Sequence, residues 1–403
     1  MKNIKDMLDF HKSHKHVFLY QFDEGREYAG LTGKYLSLCS FPVEGVITAG
    51  GKNEKSAALK KGEGPYWTIE EVREKFAPGE CGVILSVFDF LLNAALGSLT
   101  EAGFHNVFFI TDYYRKKIQE KLTPRTKENF ILEVNLADHC NLNCQMCDHF
   151  SPLAEKHFLD PRTFIQDMGR LADLTDNTAG VIKILGGEPL LNPDTPDFLI
   201  AARGLFPQSR ILLYTNGLLL AEWETKHKAN LWEICRRFNA RIMVTTYPIN
   251  FDYAKIDALA VKHKTPYSRF VEESENDLDK NTALYNVLGE REKKSVHHPL
   301  SPAGNVPVHE FIDCYHFNRC ITLSGGKLYT CPIIPYAKYF SAFFDKPLKT
   351  RGNDFIDIYA ARDFEEIAEF LSRPVPFCRY CKVSSRKGGV DFRLSKKAIE
   401  EWT

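Results

Sequence analysis

Between His16 and about Arg125 the chain alternates apolar runs with stretches of helical period. The runs at 17–22, 43–50, 82–92 and 106–114 read as strands, while residues 68–76 (TIEEVREKF) and a stretch ending near Ala102 read as helices. Strand and helix in turn predict a small α/β layer with a mainly parallel sheet. Residues 113–127 carry six Lys and Arg and a proline, the pattern of a solvated helix running into a linker, so the first boundary is placed there.

A second rhythm follows. Strands are predicted at 130–136, 180–185, 210–215 and 241–247, with helices at 161–175, 196–205, 223–238 and 252–264. Repeated β-α units of this length make a parallel sheet that curls into a full or partial barrel. The polar run from Glu272 to Lys294 breaks the rhythm and is read as helix and loop. From Glu310 onward the character changes again, with a hairpin at 320–332 turning at Gly325-Gly326 and a helix near 364–372. These divisions predict domains at 1–125, 126–305 and 306–403.

With 403 residues the chain is long enough for two or three cores. Lys plus Arg and Asp plus Glu both total 52, so no long-range positive field draws it to phosphate backbones, and nucleic acid is not an expected partner. The longest apolar stretch, 82–99, is interrupted by Asp89 and Asn93, too short and too polar for a membrane span. The Met1 region lacks the apolar segment of a signal peptide, and a cytoplasmic location is expected. Residues 45–53 (GVITAGGKN) approach a phosphate-binding loop. Val46 stands where a framing glycine belongs, and Asn53 replaces Ser or Thr, so this is read as a plain connection.

Eleven cysteines without an export signal argue against a disulfide framework. Cys39, Cys81 and Cys235 lie singly in apolar surroundings and read as small buried hydrophobes. The other eight fall into two sets. Cys140, Cys144 and Cys147 follow a predicted strand, on one loop at the strand's C-terminal end, where β/α barrels carry their chemistry. A 4Fe-4S cluster normally takes four thiolates, so a loop supplying three leaves one iron open. A zinc site is the alternative, with His139 or His149 as fourth ligand.

This cysteine spacing resembles the radical S-adenosylmethionine (SAM) superfamily, over roughly residues 128–275. The resemblance implies that the open iron chelates the amino and carboxylate groups of SAM, and that reductive cleavage yields a 5′-deoxyadenosyl radical able to abstract hydrogen. Gly186-Gly187-Glu188, at the end of the next strand, looks like the family element that contacts the methionine amino group. Thr215-Asn216-Gly217 looks like a further element near the ribose. Met146 departs from the aromatic that many members carry before the third cysteine; as an adaptable apolar side chain it is read as tolerated.

The second set, Cys331 with Cys378 and Cys381, resembles the auxiliary-cluster domain called twitch, a shortened relative of SPASM. Its fourth ligand would be Cys314 or Cys320. Cys314, with sixteen residues between it and Cys331 and with Gly326 five before Cys331, fits the family framework better. Structural zinc and free thiols are the competing readings, since four thiolates suit either metal.

The resemblance thus implies a partial (β/α)6 TIM-like barrel followed by a cluster-binding domain; it does not cover residues 1–125, where the strand and helix pattern alone predicts a small Rossmann-like α/β domain, for an α/β fold throughout. It implies a SAM-binding 4Fe-4S cluster, SAM itself, a second 4Fe-4S cluster and a flavodoxin- or ferredoxin-type electron donor. The expected activity is oxidation of a polar small molecule such as a sugar or aminocyclitol. A peptide-modifying enzyme and a noncatalytic iron-sulfur electron carrier are the alternatives. His139, His149, Tyr247 and Tyr315 are expected near the barrel mouth, none singled out as a catalyst.

Overall fold

In the computed structural model the chain forms two compact units, Met1–Thr123 and Pro124–Thr403. The structure describes residues 4–22, 26–49, 65–270, 285–288, 294–317 and 319–403.

The first unit is a five-stranded parallel sheet of β1 (His16–Gln21), β2 (Gly45–Thr48), β3 (Tyr66–Trp67), β4 (Cys81–Leu85) and β5 (Val107–Phe109), in the order β3-β2-β1-β4-β5. The β4 run is buried throughout, as a strand covered on both faces should be. Thr68 starts the helix Ile69–Lys75 with a reciprocal capping box to Glu71. The basic stretch after β5 is less solvated than its composition suggests. In the helix Asp112–Leu122, Arg115 and Lys121 are 2% and 4% exposed, and the Arg115 guanidinium lies over the Tyr28 and Phe88 rings beside Asp112. Residues 50–53 of the loop at 45–53 lie outside the described residues, and its first part is β2.

The second unit holds a nine-stranded sheet. Six parallel strands form its barrel-like part: β6 (Ile131–Asn135), β7 (Val181–Leu185), β8 (Arg210–Thr215), β9 (Ala240–Thr245), β10 (Tyr267–Phe270) and β11 (Tyr285–Leu288). Helices Pro161–Thr175, Thr195–Leu205, Leu231–Arg237 and Ala254–His263 make the crossovers, giving a mixed α/β partial barrel that does not close among the described residues. Two expectations are corrected. The helix at 223–238 is two pieces, Trp223–Lys226 and Leu231–Arg237, because Asn230 accepts the Glu233 N–H and starts a new helix. Within the polar run after Glu272, residues 285–288 form strand β11 rather than helix or loop, and 271–284 and 289–293 lie outside the described residues.

The segment from 306 onward continues the same sheet. β13 (Ile321–Ser324) pairs in parallel with β6, then antiparallel with β14 (Lys327–Tyr329), which pairs with β15 (Phe355–Asp357). Gly325 and Gly326, at φ 57° and 70°, make the tight turn their sequence signals. β12 (Lys294–His297) and β16 (Lys387–Asp391) form a separate antiparallel ribbon. One apolar cluster runs from Phe130 to Trp402, so residues 126–305 and 306–403 share a core as well as a sheet.

Candidate active site

The register Asn135↔Leu185 and Ile184↔Leu213 sets the C-terminal ends of β6, β7 and β8 side by side. Above them opens a cavity of about 410 Å³ whose wall includes Cys140, Cys144, Cys147, Gly186, Gly187, Glu188, Thr215 and Asn216. Three segments that are far apart in sequence therefore meet on one surface.

The cysteine loop is fixed by its own turns and by the chain's last residues. Asn143, Met146 and Phe150 take positive φ of 52°, 58° and 52°. The Phe150 side chain is buried between Phe340 and Trp402. The Gln145 N–H donates to the Arg393 carbonyl (2.9 Å), the Ser395 N–H to the Asn143 carbonyl (2.8 Å), and the Trp402 indole to the Cys147 carbonyl (3.0 Å). Burial, reinforced by the Glu188 charge, pushes the Cys140 thiol up to about 12, and burial also raises Cys147. Thiols this reluctant to ionise become thiolates when a cation is at hand to balance them, as in a metal site.

Among the described residues, Asp148, His298 and His316 form a group of three metal-binding side chains whose ligand atoms all lie within 4.8 Å of one another.

Gly186 and Gly187 do permit a close backbone approach, but to the root of the cysteine loop. A Cβ at Gly186 would meet the Ala137 carbonyl at 2.4 Å, and one at Gly187 the His139 carbonyl at 2.2 Å. Glu188 is equally occupied within the protein. Its Oε1 accepts from the Leu190 N–H (3.1 Å) and the Thr215 hydroxyl (2.6 Å), and its Oε2 from the Asn216 N–H (2.9 Å). Burial nevertheless pushes its carboxyl up to about 7. The Asn216 amide donates to Asn141 Oδ1 (2.7 Å) and reaches Cys140 Sγ at 3.9 Å. Glu188 thus clamps β7 to β8, and Asn216 carries that clamp to the first cysteine.

Several wall residues escaped the sequence reading. Glu133 and Lys183 form a buried ion pair of 3.2 Å from opposed positions on β6 and β7, with the Lys183 ammonium 5.8 Å from the Tyr214 ring centre. A charge in the middle of each apolar strand was the available signal. Asp148 accepts from His298 Nδ1 (3.0 Å) and His316 Nε2 (3.0 Å). Burial alone would raise the Asp148 carboxyl, but the two imidazoles hold it well below its usual range. Arg386 lies over the Tyr315 ring at 4.6 Å. Of the four groups expected at the mouth, His149, Tyr247 and Tyr315 line the cavity, whereas His139 packs on Phe158. Burial and then the three thiols raise Tyr247 well above its usual range, and it bonds Cys144.

Cys314, Cys331, Cys378 and Cys381 lie apart from this wall. Cys381 feels the charges of the other three, and Cys331 and Cys378 each feel that of Cys314. Burial, then Cys314, pushes Cys378 up to about 12. Cys320 lines the cavity instead.

Residues 134–270 match the radical SAM superfamily. Molybdenum cofactor biosynthesis protein 1 of Mus musculus is 34% identical over 97 residues, 24% of this chain and 15% of that protein. The GTP 3′,8-cyclase of Streptomyces coelicolor is 32% identical over 103 residues, 24% of this chain and 29% of that one. The chain thus covers less than a third of the length of either relative. Among solved structures, BtrN in complex with AdoMet and 2-DOIA is similar at 16% identity and a TM-score of 0.35, over 68% of this chain and 96% of that one. Streptococcus suis SuiB bound to precursor peptide SuiA is similar at 14% identity and a TM-score of 0.28, over 61% and 73%.

Proposed function

We propose that this chain, whose residues 134–270 belong to the radical SAM superfamily, is an enzyme that cleaves SAM reductively and oxidises a polar small molecule such as a sugar or aminocyclitol. The observation that carries this reading is the convergence of Cys140, Cys144 and Cys147, Gly186-Gly187-Glu188 and Thr215-Asn216 on one cavity. When bound, a 4Fe-4S cluster and SAM supply a 5′-deoxyadenosyl radical that removes a hydrogen atom from carbon. The three cysteines would hold that cluster and leave SAM its place on the wall. Glu188 and Asn216 are positioning residues that keep the SAM-facing strand ends and the cysteine loop in register. The positions of Glu133, Lys183, Asp148 and Arg386 on the wall suit a substrate rich in hydroxyl or amino groups.

Cys314, Cys331, Cys378 and Cys381 would hold a second 4Fe-4S cluster, an acceptor of one electron with no iron left open. A flavodoxin- or ferredoxin-type protein is the reductant proposed for the first. No helix among the described residues is long and apolar enough to cross a membrane.

The test is anaerobic reconstitution with iron and sulfide, followed by dithionite, SAM and panels of sugars, aminocyclitols and peptides. Formation of 5′-deoxyadenosine together with loss of two hydrogens from a sugar or aminocyclitol is expected. SAM cleavage with a mass change only on peptides would overturn the substrate class, and intact SAM would overturn the enzyme.

A further inference from the structure

The cavity wall holds a second kind of donor set. Asp148 follows the third cysteine of its loop, His298 follows β12, and His316 precedes β13. Asp148 Oδ2 lies 3.0 Å from both His298 Nδ1 and His316 Nε2, and all three ligand atoms fall within 4.8 Å of one another. Neighbouring ligands around an octahedral divalent cation with ~2.1 Å bonds are about 3.0 Å apart, so a spacing that now serves two hydrogen bonds is also that of adjacent corners around one ion. The side chains are 25%, 13% and 8% exposed, largely sheltered yet all on the cavity lining. The other nitrogen of His298, Nε2, is buried and has no hydrogen-bond partner. An imidazole that binds metal through Nδ1 carries its proton on Nε2, where a bound molecule can accept it.

We propose that Asp148, His298 and His316 bind one borderline divalent cation, of the Mn²⁺, Fe²⁺ or Zn²⁺ class, with open positions on the cavity. Two imidazoles and one carboxylate suit these ions, and three protein ligands are the number that catalytic rather than structural sites supply. A cation held there binds paired hydroxyl or amino groups and makes a bound hydroxyl more acidic. The site goes beyond the SAM reading, because uptake of the ion requires neither SAM nor its cleavage.

The test uses the reconstituted, oxidised full chain, freed of loose metal by a chelator and titrated with Mn²⁺ alone. Loss of the free-ion EPR signal is expected at one Mn²⁺ per chain, with pulsed EPR of the bound ion showing coupling to two imidazole nitrogens. His298→Gln and Asp148→Asn should weaken binding by at least about tenfold, while the neighbouring His297→Gln should not. The nitrogen couplings are read on the unaltered chain, so a variant that fails to fold does not decide the matter. No Mn²⁺ uptake, or bound Mn²⁺ without nitrogen coupling, would mean that Asp148 and the two imidazoles form only a hydrogen-bonded group.

Discussion

The two cysteine sets place their thiols in two different surroundings. Cys140, Cys144 and Cys147 sit on one loop, on a cavity wall shared with Glu188, Lys183 and Asp148. Cys331, Cys378 and Cys381 pack against the apolar cluster that includes Ile333, Ile334, Phe377 and Tyr380, and with Cys314 they stay off that wall. In the proposed function that difference separates the roles: three thiols on a cavity wall would leave room for a small ligand, whereas four in an apolar setting would close their own site.

The widest separation between the sets should appear in SAM cleavage. Cys144→Ala should reduce 5′-deoxyadenosine formation to background, while the Cys378→Ala, Cys381→Ala double variant should retain it without substrate. Each should lose about four of roughly eight irons per chain, counted after reconstitution. Equal loss of cleavage in both would dissolve the distinction.

The two walls should also fail differently. Phe377→Ala opens a cavity beside the second set and should cost about 3–5 kcal/mol in denaturant unfolding, with looser retention of that iron. On the cavity wall, Lys183→Met removes the ammonium that faces the buried Glu133 carboxylate and should cost a similar ~3–5 kcal/mol, with the second set's iron unchanged.

Glu188 gives a pH signature confined to the open wall. Its carboxyl is raised from 4.5 to about 7 by burial, so the folded chain holds that proton more tightly than the unfolded one. The resulting stability is fully present below pH 4.5 and is lost as pH rises through 7, a span worth roughly 3 kcal/mol. Glu188→Gln, which cannot ionise, should flatten this part of the pH profile of thermal unfolding. An unchanged slope would place the titration elsewhere. The smallest effect belongs to Tyr247→Phe, which removes a hydroxyl bonded to Cys144 and should shift stability by only about 1 kcal/mol.

Much of the fold was legible in apolar runs, because buried parallel strands such as 181–185 leave little choice of partner. The break at Asn230 was not, since an N-cap inside a helical pattern looks like one more polar position. Strand β11 was missed because its short apolar run, 283–288 (ALYNVL), lies inside a long polar stretch and its pairing with β10 is nonlocal. In the site, the cysteine spacing and the resemblance of Gly186-Gly187-Glu188 to a family element pointed to segments that meet on one cavity. The Glu133–Lys183 pair and the Asp148, His298 and His316 group come from register and from chain reversals, which no local motif records.

The most direct test of the difference between the sets is EPR of the reduced protein with and without SAM, on two variants that each retain one set. With Cys378 and Cys381 replaced by Ala, the signal of the remaining cluster should shift when SAM is added. With Cys140, Cys144 and Cys147 replaced, the remaining signal should stay where it is. A first signal indifferent to SAM, or a second that moves, would contradict the assignment of the open position to the three-cysteine loop.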